Sequence, residues 1–99
     1  MQRESDLYPH LKRHFEARGL EVKGEIGAAD LVAMGGPEPL IVEMKLKFSL
    51  TLYHQGIERL KISPQVYLAV LRPEGRAAKR MIKDNTAMCR RLALGLMTV

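Results

Sequence analysis

The chain has 99 residues, 46% of them apolar and 27% charged, a composition that suits one globular domain with a single core. Sixteen Lys and Arg against eleven Asp and Glu leave a net charge of +5, which favours an anionic partner such as nucleic acid. No apolar run reaches the length of a membrane span, residues 1–6 lack a signal peptide's apolar core, and Cys89 is the only cysteine, which excludes an internal disulfide and a thiolate metal cluster. A reducing cytoplasm is the expected location.

Residues 4–18 read as an amphipathic helix, because Leu7, Leu11 and Phe15 recur at four-residue spacing and Tyr8 widens the stripe. Ser5 or Asp6 can cap its start, Pro9 is tolerated in the first turn, and Gly19 gives the stop. Residues 20–26 alternate apolar and polar, as in a half-exposed strand. Gly27, Ala28 and Ala29 form a small-residue turn, after which Asp30 opens a second strand through Met34. Gly35, Gly36, Pro37, Glu38 and Pro39 compose a turn, and residues 40–45 make a third strand.

That third strand, Leu40-Ile41-Val42-Glu43-Met44-Lys45, is an apolar run carrying one carboxylate and one amine two residues apart. Successive side chains in a strand alternate faces, so Ile41, Glu43 and Lys45 share one face, with Glu43 and Lys45 roughly 6–7 Å apart. Leu40, Val42 and Met44 point into the opposite layer. A hairpin closed at the glycine-proline turn brings Asp30 near Glu43, with Lys45 alongside. Two carboxylates edged by a lysine can hold Mg²⁺ and activate a water.

A second helix is predicted from Ser49 to Leu60, capped by Ser49 or Thr51, with Leu52, Tyr53, Gly56, Ile57 and Leu60 as its buried stripe. Gln55 and Arg59 lie one turn apart on a neighbouring face. Residues 66–71 are nearly all apolar, as in a central strand covered on both sides. A third helix runs from Arg76 to Leu92, with Ala78, Met81, Ile82, Met88, Cys89 and Leu92 on a face broken only by Asn85, and a basic opposite side. Residues 94–99 read as the start of another strand, and an end at Val99 without a polar tail is what a truncated chain would show. The order helix, three strands, helix, strand, helix, strand predicts an α/β sandwich in which a mixed sheet is flanked by helices. The right-handed crossover rule makes the 40–45 and 66–71 strands parallel neighbours joined by the second helix.

With Asp30, the Glu43-Met44-Lys45 triplet and this element order, the chain resembles the PD-(D/E)XK nuclease superfamily, whose fold is restriction-endonuclease-like. The resemblance covers residues 4–71 and maps the family pattern onto Asp30, Glu43 and Lys45, with Ala29 where a proline usually stands. It implies a metal site of Asp30, Glu43 and a main-chain carbonyl, that of Met44, holding Mg²⁺, for which Mn²⁺ can substitute. Lys45 would contact the attacking water or the scissile phosphate. A further acid on the first helix is matched best by Glu4 and next by Glu16, with Glu25 as a third candidate. Gln55 falls where some branches carry a glutamine, and Gln55 or Lys47 could contact the phosphodiester backbone. Residues 4–8, 22–25 and 91–96 look like those of an uncharacterised bacterial family of PD-(D/E)XK phosphodiesterases.

The expectation is one nuclease-like domain over residues 1–99: a divalent-metal-dependent phosphodiesterase acting on nucleic acid, DNA rather than RNA, with no membrane partner. A homodimer is compatible with a one-site nuclease that cuts both strands. The alternative is an inactive nucleic-acid-binding or protein-interaction module on the same fold. Asp30 can also simply satisfy turn donors, and Glu43 with Lys45 can form a same-face salt bridge worth about 1 kcal/mol at most. Against that stands the improbability of two charges on an apolar strand between covered neighbours. His10 and His14 are four apart on a polar helix face and form no ligand set with the carboxylates.

Overall fold

The structure is a computed structural model that describes residues 3–27 and 29–99, the side chains of Glu25 and Ile26 excepted. Its elements, in chain order, are a 3-10 turn Glu4–Asp6, α1 (Tyr8–Glu16), β1 (Glu21–Ile26), β2 (Ala29–Met34), β3 (Leu40–Lys45), α2 (Leu50–Arg59), β4 (Gln65–Val70), α3 (Ala78–Arg91) and β5 (Gly95–Thr98). Every predicted element is present. The first helix differs in its opening, because Pro9 has no N–H with which to extend the α-ladder back to Ser5. The chain instead starts with tighter bonds, Asp6 N–H to the Arg3 carbonyl and Leu7 N–H to the Glu4 carbonyl, and the α-ladder begins at Leu11 N–H to Leu7. Glu4 therefore stands on a separate turn ahead of the helix.

The five strands lie in the order β1-β2-β3-β4-β5. The first three form an antiparallel meander, and β3, β4 and β5 run parallel to one another. The expected edge position of β1 and the parallel neighbours β3 and β4 are both observed. Two right-handed crossovers that step the same way across a sheet put both connecting helices on one face. The packing agrees: Ile41, Leu52, Tyr53, Val66, Leu68, Val70, Cys89 and Leu94 make one core, between the sheet and the α2–α3 layer. Leu7, Leu11, Phe15, Leu31, Ala33, Val42, Met44 and Ala69 make the other, under α1. The period-two reading of β3 thus holds, with Ile41 in one layer and Val42 and Met44 in the other.

The helical stripes are narrower than predicted. On α2, Leu52, Tyr53 and Gly56 are buried, but Ile57 is exposed; on α3 only Cys89 is buried, and Met81 and Met88 are exposed. The α3 crossover lies over the last strands of the sheet, so its flanks have no further layer to pack against. Asn85, the polar break in that helix face, is accounted for by Tyr53, whose hydroxyl donates to Asn85 Oδ1 at 2.6 Å. Burial first, and the neighbouring Cys89 next, push the Tyr53 hydroxyl pKa up. Ser49 caps α2, accepting a hydrogen bond from Leu52 N–H at 3.1 Å. Among the described residues, no helix is long and apolar enough to cross a membrane.

Candidate metal and phosphodiester site

The site forms where the β2–β3 ladder stops. The paired positions run from Ala33–Leu40 through Val32–Ile41 to Leu31–Val42, and the same register carried one step further puts Asp30 opposite Glu43. There side chains take over from main-chain pairing. Glu43 Oε2 accepts the Asp30 N–H at 3.0 Å, and Asp30 Oδ2 accepts the Met44 N–H at 2.9 Å. Each carboxylate satisfies a main-chain donor that the diverging strands leave without a ladder partner. The predicted hairpin neighbourhood of Asp30 and Glu43 is therefore present in the fold.

The same bonds orient Met44. A strand residue sends its N–H and C=O to the same side, and the Met44 N–H faces β2, so its carbonyl also points toward β2, past the last ladder pair. The Asp30 and Glu43 carboxylates thus stand together at the end of the β2–β3 pairing, each held by a main-chain N–H. Among the described residues, no group of three His, Cys, Asp or Glu side chains is placed to hold a metal ion. Any cation here would rest on two carboxylates, a main-chain oxygen and waters, an all-oxygen set that suits Mg²⁺ or Mn²⁺ rather than zinc.

Glu43 is the unusual residue. It is only 1% exposed, on a strand with covered neighbours on both sides, and among the described residues it is the one charged residue in the buried set. Burial pushes its pKa above the ordinary carboxylate value, the Asp30 N–H draws it back, the Asp30 carboxylate raises it, and Arg59 and Lys45 lower it. Arg59 Nε lies 3.7 Å from Glu43 Oε1, and the Arg59 side chain is 13% exposed. This partner was not anticipated. The available signal was the one-turn spacing of Gln55 and Arg59 on α2, which faces the same sheet layer as Glu43.

Lys45 reaches outward, forming a 3.2 Å ion pair with Glu4 across the mouth of the site. Of the candidates for the extra acid whose side chains are described, Glu4 is thus the one the fold brings to the site. Glu16 is exposed at the far end of α1, and the Glu25 side chain lies outside the described residues. Gln55 is half-buried on α2, and its Oε1 is buried without a hydrogen-bond partner among the described residues. Lys47 is exposed just beyond β3. Beside Asp30 a pocket of about 530 Å³ opens between the 3-10 turn, α1 and the sheet, lined by Glu4, Ser5, Tyr8, Gly24, Asp30 and Met44.

No family model, no curated protein and no solved structure matches the chain.

Proposed function

We propose that the protein is a divalent-metal-dependent phosphodiesterase acting on nucleic acid, on a restriction-endonuclease-like variant of the α/β fold. The observation that carries this reading is Glu43, an ionisable side chain almost fully buried on a central strand, bonded to the N–H of Asp30, whose residue lines an open pocket. An apolar side chain at that position would suit the core better; an acid there suits a site that binds a cation. Asp30, Glu43 and the Met44 carbonyl would hold Mg²⁺. The bound ion would polarise a phosphate oxygen and lower the pKa of a coordinated water.

The remaining work falls to the chain's own groups. Lys45, two residues along the same face, has the reach to orient the nucleophile or to hold the scissile phosphate, once phosphate replaces Glu4 as its counter-ion. Glu4 draws the ammonium to the mouth of the site. Arg59, from beneath, offsets the charge of Glu43 and holds the carboxylate in place. The net charge of +5 favours approach of a polyanion.

The test is a cleavage screen over single-stranded and duplex DNA and RNA, with Mg²⁺ or Mn²⁺, comparing the natural chain with Asp30→Ala, Glu43→Ala and Lys45→Ala. Metal-dependent cleavage that each substitution abolishes, in proteins that remain folded, is the expected result. Unchanged cleavage in the Asp30 and Glu43 variants would sink the assignment. A second reading, a nucleic-acid-binding module without turnover, is favoured by the fact that both carboxylates already accept main-chain N–H groups and so close the hairpin themselves. It requires salt-dependent binding that survives loss of Asp30 and Glu43.

A further inference from the structure

The pocket beside Asp30 has a composition that metal and phosphate do not explain. Its volume of about 530 Å³ falls in the range of small-ligand sites. Glu4 and Asp30 line it, so an anionic group placed inside would be repelled, whereas a neutral group that offers N–H donors would be accepted. The remaining lining is an aromatic ring, a glycine, a serine and a methionine.

Tyr8 and Gly24 are built around each other. A Cβ at residue 24 would stand 3.0 Å from Tyr8 Cε2 and 3.2 Å from Cζ and Oη, so the hydroxyl end of the ring lies against the bare backbone of β1. Glycine weakens a strand and packs nothing, so its place in β1 fits a site of close approach. A Cβ there would require the ring to give by a few tenths of an ångström. Tyr8 is half-buried, and its hydroxyl makes no hydrogen bond among the described residues. The ring is therefore positioned by the fold while its polar end remains available.

We propose that this pocket receives one unpaired nucleobase of a nucleic-acid strand, with Tyr8 as the stacking and hydrogen-bonding platform and Glu4 and Ser5 facing the base edge. A base is flat, uncharged and rich in N–H donors that carboxylates accept. Its sugar-phosphate would lie toward Asp30 and Lys45, at the pocket's rim. A base held in a duplex stack cannot enter without being extruded, which costs a few kcal/mol. The substrate class that follows is single-stranded, frayed or flapped nucleic acid. This inference rests on the phosphodiesterase reading for its placement of the phosphate, although the base subsite has a test that needs no turnover.

The experiment is an equilibrium titration, in EDTA, of a single-stranded oligonucleotide carrying 2-aminopurine and of the same strand in a duplex. The natural chain is compared with Tyr8→Leu, which keeps apolar volume under α1 but removes the π-face, with Tyr8→Phe, and with Gly24→Ala. Circular dichroism confirms that each variant is folded. The expected result is quenching of 2-aminopurine on the single strand, and single-strand binding weakened about tenfold by Tyr8→Leu. Gly24→Ala should weaken it as well, while Tyr8→Phe retains the quenching. Equal binding by the natural chain and a folded Tyr8→Leu overturns the subsite. So does cleavage of single strand and duplex with a KM that Tyr8→Leu leaves unchanged, an outcome that leaves the hydrolase reading standing. Tyr8-dependent quenching in a protein that cleaves nothing supports the subsite and counts against hydrolysis.

Discussion

Replacing Arg59 by Met removes the cation beside a buried carboxylate while keeping a long side chain on α2. At 3.7 Å the gross attraction between unit charges is about 4 kcal/mol at an effective dielectric constant of 20. Solvent cannot stand in for the guanidinium, because Glu43 is 1% exposed and Arg59 13%. Removing one partner of such a pair costs about 3–5 kcal/mol, and a separation as long as 3.7 Å argues for the low end. We expect a loss of about 3 kcal/mol at pH 7, a fall in Tm of roughly 12–24 °C for a domain of this size. The loss should depend on pH in a definite direction. Burial holds the folded-state pKa of Glu43 above its unfolded value of 4.5, so protonation favours the fold; stability is highest below 4.5 and falls as pH rises through the folded-state pKa. Arg59→Met widens that window, so its cost should largely vanish near pH 4. Urea denaturation at pH 4 and pH 7 measures this, and a cycle with Glu43→Gln isolates the pair from the other contacts of Arg59. In Mn²⁺ the pH 7 loss should shrink, because the dication replaces the guanidinium as counter-charge. An equal loss at both pH values, or strict additivity with Glu43→Gln, would refute the electrostatic account.

Three further outcomes follow from buried polar groups. Ser63 donates to the Pro39 carbonyl and accepts from Gln65 N–H, tying the entrance of β4 to the entrance of β3; Ser63→Ala leaves both groups unpartnered and should cost about 1–2 kcal/mol, read as a lower urea midpoint with unchanged m-value. Burial pushes the Cys89 thiol pKa up, with the Tyr53 hydroxyl drawing it partly back, so a thiol reagent at pH 8 should label Cys89 only when denaturant is added. Because Cys89 and Tyr53 are both held neutral in the fold, stability should also fall as pH rises beyond their unfolded values of 9.0 and 10.0.

The strands were legible because their signals are local. The alternation through Glu43 and Lys45 and the glycine-proline turn before β3 together specified the Asp30–Glu43 neighbourhood. Register carried that information, since pairing Leu31 with Val42 leaves Asp30 opposite Glu43. The helices were less legible. Spacing alone placed Ile57, Met81 and Met88 on buried stripes, yet how much of a stripe is covered depends on the layer beneath it, which helical periodicity does not encode. Arg59 was missed as the partner of Glu43 for a related reason: the contact joins α2 to β3 across sixteen residues, and only the crossover geometry fixes it. The 3-10 turn that brings Glu4 to Lys45 follows from Pro9, whose missing N–H was read as tolerated rather than as a break in the ladder.

The most direct measurement is a calorimetric titration of Mg²⁺ and Mn²⁺ into the nucleic-acid-free protein, natural chain beside Asp30→Ala, repeated with DNA present. A metal site on Asp30 and Glu43 predicts binding to the natural chain that is lost in Asp30→Ala. Binding that persists in Asp30→Ala, or no binding by the natural chain even with DNA bound, would contradict it.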